Sequence, residues 1–120
     1  MIKGIERLQE FMNDQAAWSD QTFDGGNFRR SRSIAISHHL QKEAVELTES
    51  FEKFFQDRSV ESFSAAKEEI ADCFILLVDC ASHLGCDADE LITACQNKLE
   101  KNKKRVWGEP DENGVIEHLK

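Results

Sequence analysis

Glu43, Glu46 and Glu49 recur every third residue, and Glu68-Glu69 is followed at the same interval by Asp72. On a helix, side chains three apart share a face one turn apart, so Glu43/Glu46 and Glu69/Asp72 each set two carboxylates side by side. Facing carboxylate pairs are a donor set for hard divalent cations, which select oxygen ligands; Mg²⁺ binds them at about 2.1 Å and keeps some of its waters. A centre of this type polarises phosphoryl oxygens and lowers the pKa of a bound water. An isolated ExxE is an ordinary solvated helix face. The conjunction of two acidic pairs, one inside an apolar run, carries the reading here. That run is Ile70-Ala71-Asp72-Cys73-Phe74-Ile75-Leu76-Leu77-Val78. Its pattern predicts a buried Asp72, which must be paired, protonated or bound to a metal. Asp79, two turns beyond Asp72 on about the same face, is a further candidate for the site or for a polar contact between subunits.

These residues need helices to position them, and the chain supplies four. The glycines fall at Gly4, Gly25, Gly26, Gly85, Gly108 and Gly114, and Pro110 is the single proline. The stretches between them have helical periodicity. A first helix is expected from Ile2 to about Trp18, with Ile5, Leu8, Phe11 and Met12 on one face. Asp24-Gly25-Gly26-Asn27 reads as a turn, followed by Arg29, Arg30 and Arg32 and by Ser33 as an N-cap. A second helix runs from about Ile34 to Phe55. The polar break Gln56-Asp57-Arg58-Ser59 leads into a third, Val60 to Leu84, apolar on nearly every side and so expected at the centre. Gly85 ends it, and Asp87 with Glu90 form a capping box for a fourth helix to about Val106. The tail beyond Trp107 is expected to be extended. The fold class is all-α and four-helix-bundle-like, in a single domain over residues 1–120. A hairpin centred near residue 59 would set Glu46 level with Asp72, and Glu49 level with Glu69.

The bulk composition narrows the partners. With 120 residues, 40% hydrophobic and 32% charged, the chain has the balance of an ordinary soluble domain. No apolar run reaches the roughly 20 residues of a membrane span, and Met1–Glu10 is amphipathic rather than a signal peptide, so a cytoplasmic protein is expected. A net charge of −8 argues against nucleic acid, which demands a basic face. It is compatible with a polyphosphate nucleotide whose charge is bridged to the carboxylates by metal. Cys73, Cys80, Cys86 and Cys95 form no CxxC pair and are read as small buried residues, not a zinc site or a disulfide framework.

The segment His39-Leu40-Gln41-Lys42-Glu43-Ala44-Val45-Glu46-Leu47 with Glu68-Glu69-Ile70-Ala71-Asp72 resembles the ExxE…ExxD signature of the MazG-like all-α NTP pyrophosphohydrolases. Lys98-x3-Asn102-x2-Arg105-x-Trp107-Gly108, Pro110-Asp111 and the final Glu117-His118-Leu119-Lys120 resemble the dATP/dGTP diphosphohydrolase (MazZ-like) branch, which includes phage proteins. The resemblance runs from about Trp18 to the end. It implies Glu43, Glu46, Glu69 and Asp72 as ligands for Mg²⁺ or Mn²⁺, with two or more ions per site. It also implies cleavage between the α- and β-phosphates of a purine deoxynucleotide, giving dNMP and pyrophosphate. Lys98, Asn102 and Arg105 align with the family's phosphate-side cluster, and their spacing puts them on one face of the fourth helix; Lys42 is a further phosphate contact. Trp18 and the loop Asp24–Arg32 would frame the base, with a core role for Trp18 an equal alternative, and His39 is placed on the base side. A homotetramer or homodimer follows from the same likeness, in the host cytoplasm if the protein is phage-encoded.

The implied mechanism is metal-assisted hydrolysis, with Glu43, or second Glu46, orienting or deprotonating the attacking water. Lys98 and Arg105 would offset charge on the leaving pyrophosphate. Three readings compete. A house-cleaning pyrophosphatase would take pyrimidine or non-standard nucleotides. A di-iron carboxylate bundle usually supplies Glu-x-x-His, and neither Glu46 nor Glu69 has a histidine three residues on. A non-catalytic helical interaction module would show no metal dependence.

Overall fold

The computed structural model describes residues 3–23 and 29–120; the expected turn at Asp24-Gly25-Gly26-Asn27 lies outside them. Among the described residues there are four helices, α1 (Gly4–Phe23), α2 (Arg29–Asp57), α3 (Val60–His83) and α4 (Ala88–Lys103). The chain divides into two compact units, the first up to Ala88 and the second from Asp89 onward. α2 begins earlier than expected, and Ser33 lies inside it. The stretch Arg29-Arg30-Ser31-Arg32 contains no helix breaker, and arginine is a good helix former, so nothing local delays the start.

In the first unit, α3 packs against both α2 and α1. On α2 the more buried positions are Ile36, Leu40, Glu43, Leu47, Ser50 and Phe54; on α3 they include Ser62, Ala66, Glu69, Cys73, Leu76 and Cys80. Both sets alternate steps of three and four, the seam of antiparallel neighbours packed at a shallow angle. α1 adds Met12, fully buried, and stacks Phe11 against Phe74 of α3 with ring centroids 6.5 Å apart. The Gln9 side chain accepts the Ala88 backbone N–H at 2.7 Å, tying α1 to the chain beyond α3. Two helices cover part of α3 only incompletely: Phe63, Ile70, Phe74 and Leu77 each keep a large exposed fraction. They occupy one stripe of the helix. The central position expected for α3 therefore holds for its contacts with α1 and α2 but not for this face. The cysteines are less buried than expected. All four are free; Cys73, Cys80 and Cys86 are only partly buried and Cys95 is exposed.

The turn between α2 and α3 is two residues, Arg58 and Ser59. Arg58 takes a left-handed conformation, φ 53°, and its guanidinium lies 4.7 Å from the Phe55 ring centroid and 5.5 Å from that of Phe54. Ser59 caps α3 by accepting the Ser62 backbone N–H at 3.0 Å, and Asp57 accepts the Ser59 N–H at 3.0 Å and the Ser62 hydroxyl. At its other end α3 closes in a Schellman motif. The Gly85 N–H bonds to Ser82 O at 3.0 Å and the Cys86 N–H to Ala81 O at 2.9 Å, with Gly85 at φ 79°.

In the second unit α4 ends at Lys103, because the Lys104 and Arg105 N–H groups tighten the last turn by bonding to Lys101 O and Asn102 O, each at 3.2 Å. The tail is non-helical but doubles back, pairing Trp107 with His118 in an isolated antiparallel bridge. The Gly108 N–H donates to Glu117 O at 2.9 Å and the Leu119 N–H to Val106 O at 2.7 Å. A Cβ on Gly108 would meet Leu119 Cδ2 at 3.3 Å and Glu117 O at 3.4 Å, so glycine lets the two arms close.

Two predictions concern the α2–α3 turn. Ser59→Ala removes a helix cap worth about 1 kcal/mol and is expected to lower Tm by roughly 4 °C in a thermal melt. The Ser62 hydroxyl, and then the Ser59 backbone N–H, hold the Asp57 carboxyl below its ordinary 3.8. A carboxyl lowered on folding contributes stability that is present above its unfolded value and lost as pH falls through the folded one. Asp57→Asn should therefore melt below wild type at neutral pH, and the gap should close progressively below pH 3.8.

Candidate active site

The seam between α2 and α3 carries two acidic residues at core-facing positions, and they meet. Glu43, Glu69 and Asp72 each place one carboxylate oxygen within 4.8 Å of the others. The grouping differs from the pairs that the symmetric count about residue 59 leads one to expect. Glu43, rather than Glu46, joins Asp72 and Glu69, and both Glu46 and Glu49 are exposed. The reason is helical phase: Glu43 belongs to the stripe Ile36-Leu40-Glu43-Leu47 that faces α3, whereas Glu46 and Glu49 fall beside it. Glu68 is exposed for the same reason on α3.

Burial is distributed differently from the sequence reading. Asp72 is exposed, at the edge of the seam, while Glu43 and Glu69 are partly buried. The apolar neighbours Ile70 and Phe74 are themselves exposed, so the hydrophobic run does not enclose Asp72. The argument that a buried acid must find a partner applies instead to Asp79, which is 2% exposed.

His39 Nε2 lies 3.2 Å from Glu43 Oε1, fixing that carboxylate from one turn earlier on α2. The other oxygen, Glu43 Oε2, is buried without a hydrogen-bond partner, as is Glu69 Oε2. Unit charges near 4 Å apart repel by on the order of 1–4 kcal/mol between water and a protein surface, so this group gains from a cation or a proton placed among its oxygens. Its influence reaches Glu46, whose carboxyl is raised above its ordinary 4.5 by a hydrogen bond with Glu43, then by repulsion from Glu43, with Asp72 contributing. Burial, and then the negative charge of Glu43 and Glu69, also raises the Cys73 thiol. It remains protonated and is a poor metal ligand.

A cavity of about 230 Å³ opens beside the carboxylates, with Glu43, Asp72 and His39 in its lining. Ile75 and Leu76 give it an apolar wall, and α1 contributes Gln15, Trp18 and Phe23. Trp18 is 55% exposed and meets Phe23 edge-on at 5.3 Å, so it is a wall of the cavity and not a core residue. Arg32 stacks its guanidinium 4.3 Å from the Phe23 ring centroid, and its Nε is buried without a hydrogen-bond partner. Gln15 and Phe23 complete a lining that the acidic motifs do not reveal, and Asp79, the further candidate from the sequence, joins them. The available signal was on α1, where Gln15 and Ser19 continue the buried stripe from Met12 at steps of three and four: polar residues at core positions.

The basic cluster read from the C-terminal motif is arranged differently. Lys98 and Asn102 lie on α4, but Arg105 falls beyond its end, so the three do not share a helix face. Arg105 instead reaches back to Asn102 Oδ1 at 3.2 Å and toward His118 Nδ1 at 3.5 Å. The Trp107 indole N–H donates to Asn102 O at 3.0 Å. Within the second unit Asn102 thus ties the helix end to the doubled-back tail. Lys98, and Lys42 on α2, are exposed.

Among the described residues no helix is long and apolar enough to cross a membrane. No curated relative and no solved structure matches the chain. The model of one family does match, over residues 11–120, a span holding both acidic motifs, the cavity lining and the whole C-terminal unit. The chain therefore belongs to the dATP/dGTP pyrophosphohydrolases, hydrolases that act on nucleoside triphosphates.

Proposed function

We propose that the whole chain works as one metal-dependent pyrophosphohydrolase domain, cleaving dGTP or dATP between the α- and β-phosphates to dNMP and pyrophosphate. The observation that carries this reading is the group Glu43, Glu69 and Asp72, each with one oxygen within 4.8 Å of the others, in which Glu43 and Glu69 also each bury an oxygen without a hydrogen-bond partner. Such a donor set fits Mg²⁺ or Mn²⁺, and we assign Glu46, adjacent to Glu43, as the fourth ligand of a site for two or more ions. Bound there, divalent metal supplies Lewis-acid polarisation of the phosphates and a water of lowered pKa.

The chain's own residues do the rest. Glu43, held by His39 on one oxygen, keeps the other for a ligand or for the proton of the attacking water; Glu46 is the second choice for that proton. Trp18 offers the base an aromatic face, and we assign His39, which holds Glu43 and lines the cavity, to the base side as well. Lys98, Asn102, Arg105 and Lys42 are assigned to the phosphates. Arg105 retains further N–H donors beyond its bond to Asn102 and suits a phosphate geometrically. The incompletely covered stripe on α3 supports a homodimer or homotetramer, since four large, partly exposed apolar side chains in one row favour burial against a second copy. The expected setting is cytoplasmic, with a phage pathway of nucleotide supply among the roles it would suit.

Incubation with each deoxynucleoside triphosphate, with and without Mg²⁺ or Mn²⁺, should yield monophosphate and pyrophosphate from the purine nucleotides only when metal is present. Turnover of pyrimidine nucleotides instead would keep the metal chemistry and discard the purine assignment. Metal-independent turnover, or none, would overturn the proposal. Asp72→Asn should lower kcat by at least about 100-fold while circular dichroism stays unchanged, because Asp72 is exposed. Mn²⁺ should raise the Tm of wild type and leave that of Asp72→Asn unmoved.

A further inference from the structure

The carboxylate group accounts for part of the cavity lining. Another part carries a second polar arrangement, which the hydrolytic chemistry does not use. Asp79 lies seven residues beyond Asp72 on α3, roughly 10 Å along the axis, a separation on the scale of a nucleotide from its phosphates to its base. Its side chain is only 3% exposed, yet Asp79 lines the cavity. The Ser19 hydroxyl, fully buried, donates to Asp79 Oδ2 at 2.8 Å. His83 Nδ1 sits 2.8 Å from the Asp79 carbonyl and 3.4 Å from Oδ1. Because the carbonyl can only accept, that nitrogen carries its proton. The carboxylate is thus fixed from two sides, but Asp79 Oδ1 makes no hydrogen bond. Gln15, one turn before Ser19 on the same face of α1, is 7% exposed and also lines the cavity, and its Oε1 likewise has no hydrogen-bond partner.

Buried acceptors without donors are costly in an apo protein and are satisfied when a ligand brings the donors. We propose that Asp79, with Gln15 beside it, reads the Watson–Crick edge of the purine and makes this enzyme favour guanine over adenine. The inference rests on the reading above that the cavity takes a deoxynucleoside triphosphate. Guanine presents two adjacent donors, N1–H and the 2-amino group, to a carboxylate that can only accept; both bonds are charge-assisted. Adenine offers the same carboxylate a single donor, its 6-amino group, and sets the N1 lone pair against the second oxygen, so one of the two bonds is replaced by repulsion. Trp18 and Phe23, from the same helix as Gln15, supply aromatic surface for either base and therefore do not discriminate. Specificity falls to the acceptors.

The test compares dGTP, dATP and dITP, which lacks the 2-amino donor, in wild type, Asp79→Asn and Gln15→Met. It pairs kcat/KM with calorimetric affinities for the monophosphates dGMP and dAMP. Wild type should prefer dGTP to both dITP and dATP, by about tenfold or more. Asp79→Asn keeps the shape and the Ser19 bond but replaces an acceptor with a donor. It should cost dGTP and dGMP at least about tenfold while dATP and dAMP improve, because the amide can donate to adenine N1 where the carboxylate repelled it. Gln15→Met should shift the same ratio in the same direction by a smaller factor. Equal losses on guanine and adenine substrates, or wild type handling dGTP and dITP alike, would overturn the assignment. The wild-type comparison needs no variant to fold. The monophosphate affinities test base reading without hydrolysis, so they separate it from any failure of the metal-dependent reaction.

Discussion

The antiparallel contact between α2 and α3 is the constraint from which the site follows. Its seam is built from side chains at alternating steps of three and four, and most of those positions are apolar or small. Glu43 and Glu69 occupy two that would otherwise hold core residues. Holding carboxylates in a packed seam opposes folding, since each charge loses water and repels the others. The remaining packing must outweigh that cost, and the aromatic cluster at the turn contributes: Phe54 meets Phe63 and Phe55 at 5.8 and 5.2 Å. The tight, capped turn then fixes which residues come level. A slip of one turn along the seam would separate Glu43 from Asp72.

α1 supplies what α2 and α3 lack. Its buried stripe begins apolar at Met12 and turns polar at Gln15 and Ser19, so the same helix face that closes the core also lines the cavity. The Ser19 hydroxyl stabilises the buried Asp79 through a hydrogen bond. Trp18 and Phe23 stand beside that stripe and leave aromatic surface exposed to the cavity. Acid chemistry and apolar surface therefore sit in one cavity without competing for the same residues.

The second unit is organised by Asn102. Its carbonyl accepts the Trp107 indole and its side chain accepts the Arg105 guanidinium, so a helix end, a tryptophan and an arginine share one anchor. Asp111 performs a similar service at the far turn, accepting the Asn113 and Val115 N–H groups on one oxygen. These bonds explain the spacing of the C-terminal motif as a structural requirement of the turn-back, independently of any contact with phosphate.

Local patterning determined the helices, the Gly85 stop and the acidic residues on α2 and α3, because periodicity and the left-handed freedom of glycine act within one or two turns. It also singled out the motifs that the family match spans. Where a helix lacks a strong breaker its ends were less legible, as at Arg29 and Lys103. The tertiary structure decided which acids converge. Spacing alone treats Glu43, Glu46 and Glu49 as equivalent, but only the phase of α2 against α3 turns Glu43 into the seam and leaves the others outside. It also left Asp72, expected to be buried, exposed, and buried Asp79 instead. An apolar run shows that a helix has a hydrophobic face, but burial depends on which neighbours cover that face, and α1 covers Asp79 while nothing in the first unit encloses Asp72. The pairing of Asp79 with Ser19, sixty residues apart, is of the same kind: it arises from the packing of two helices and leaves no trace in the local sequence of either.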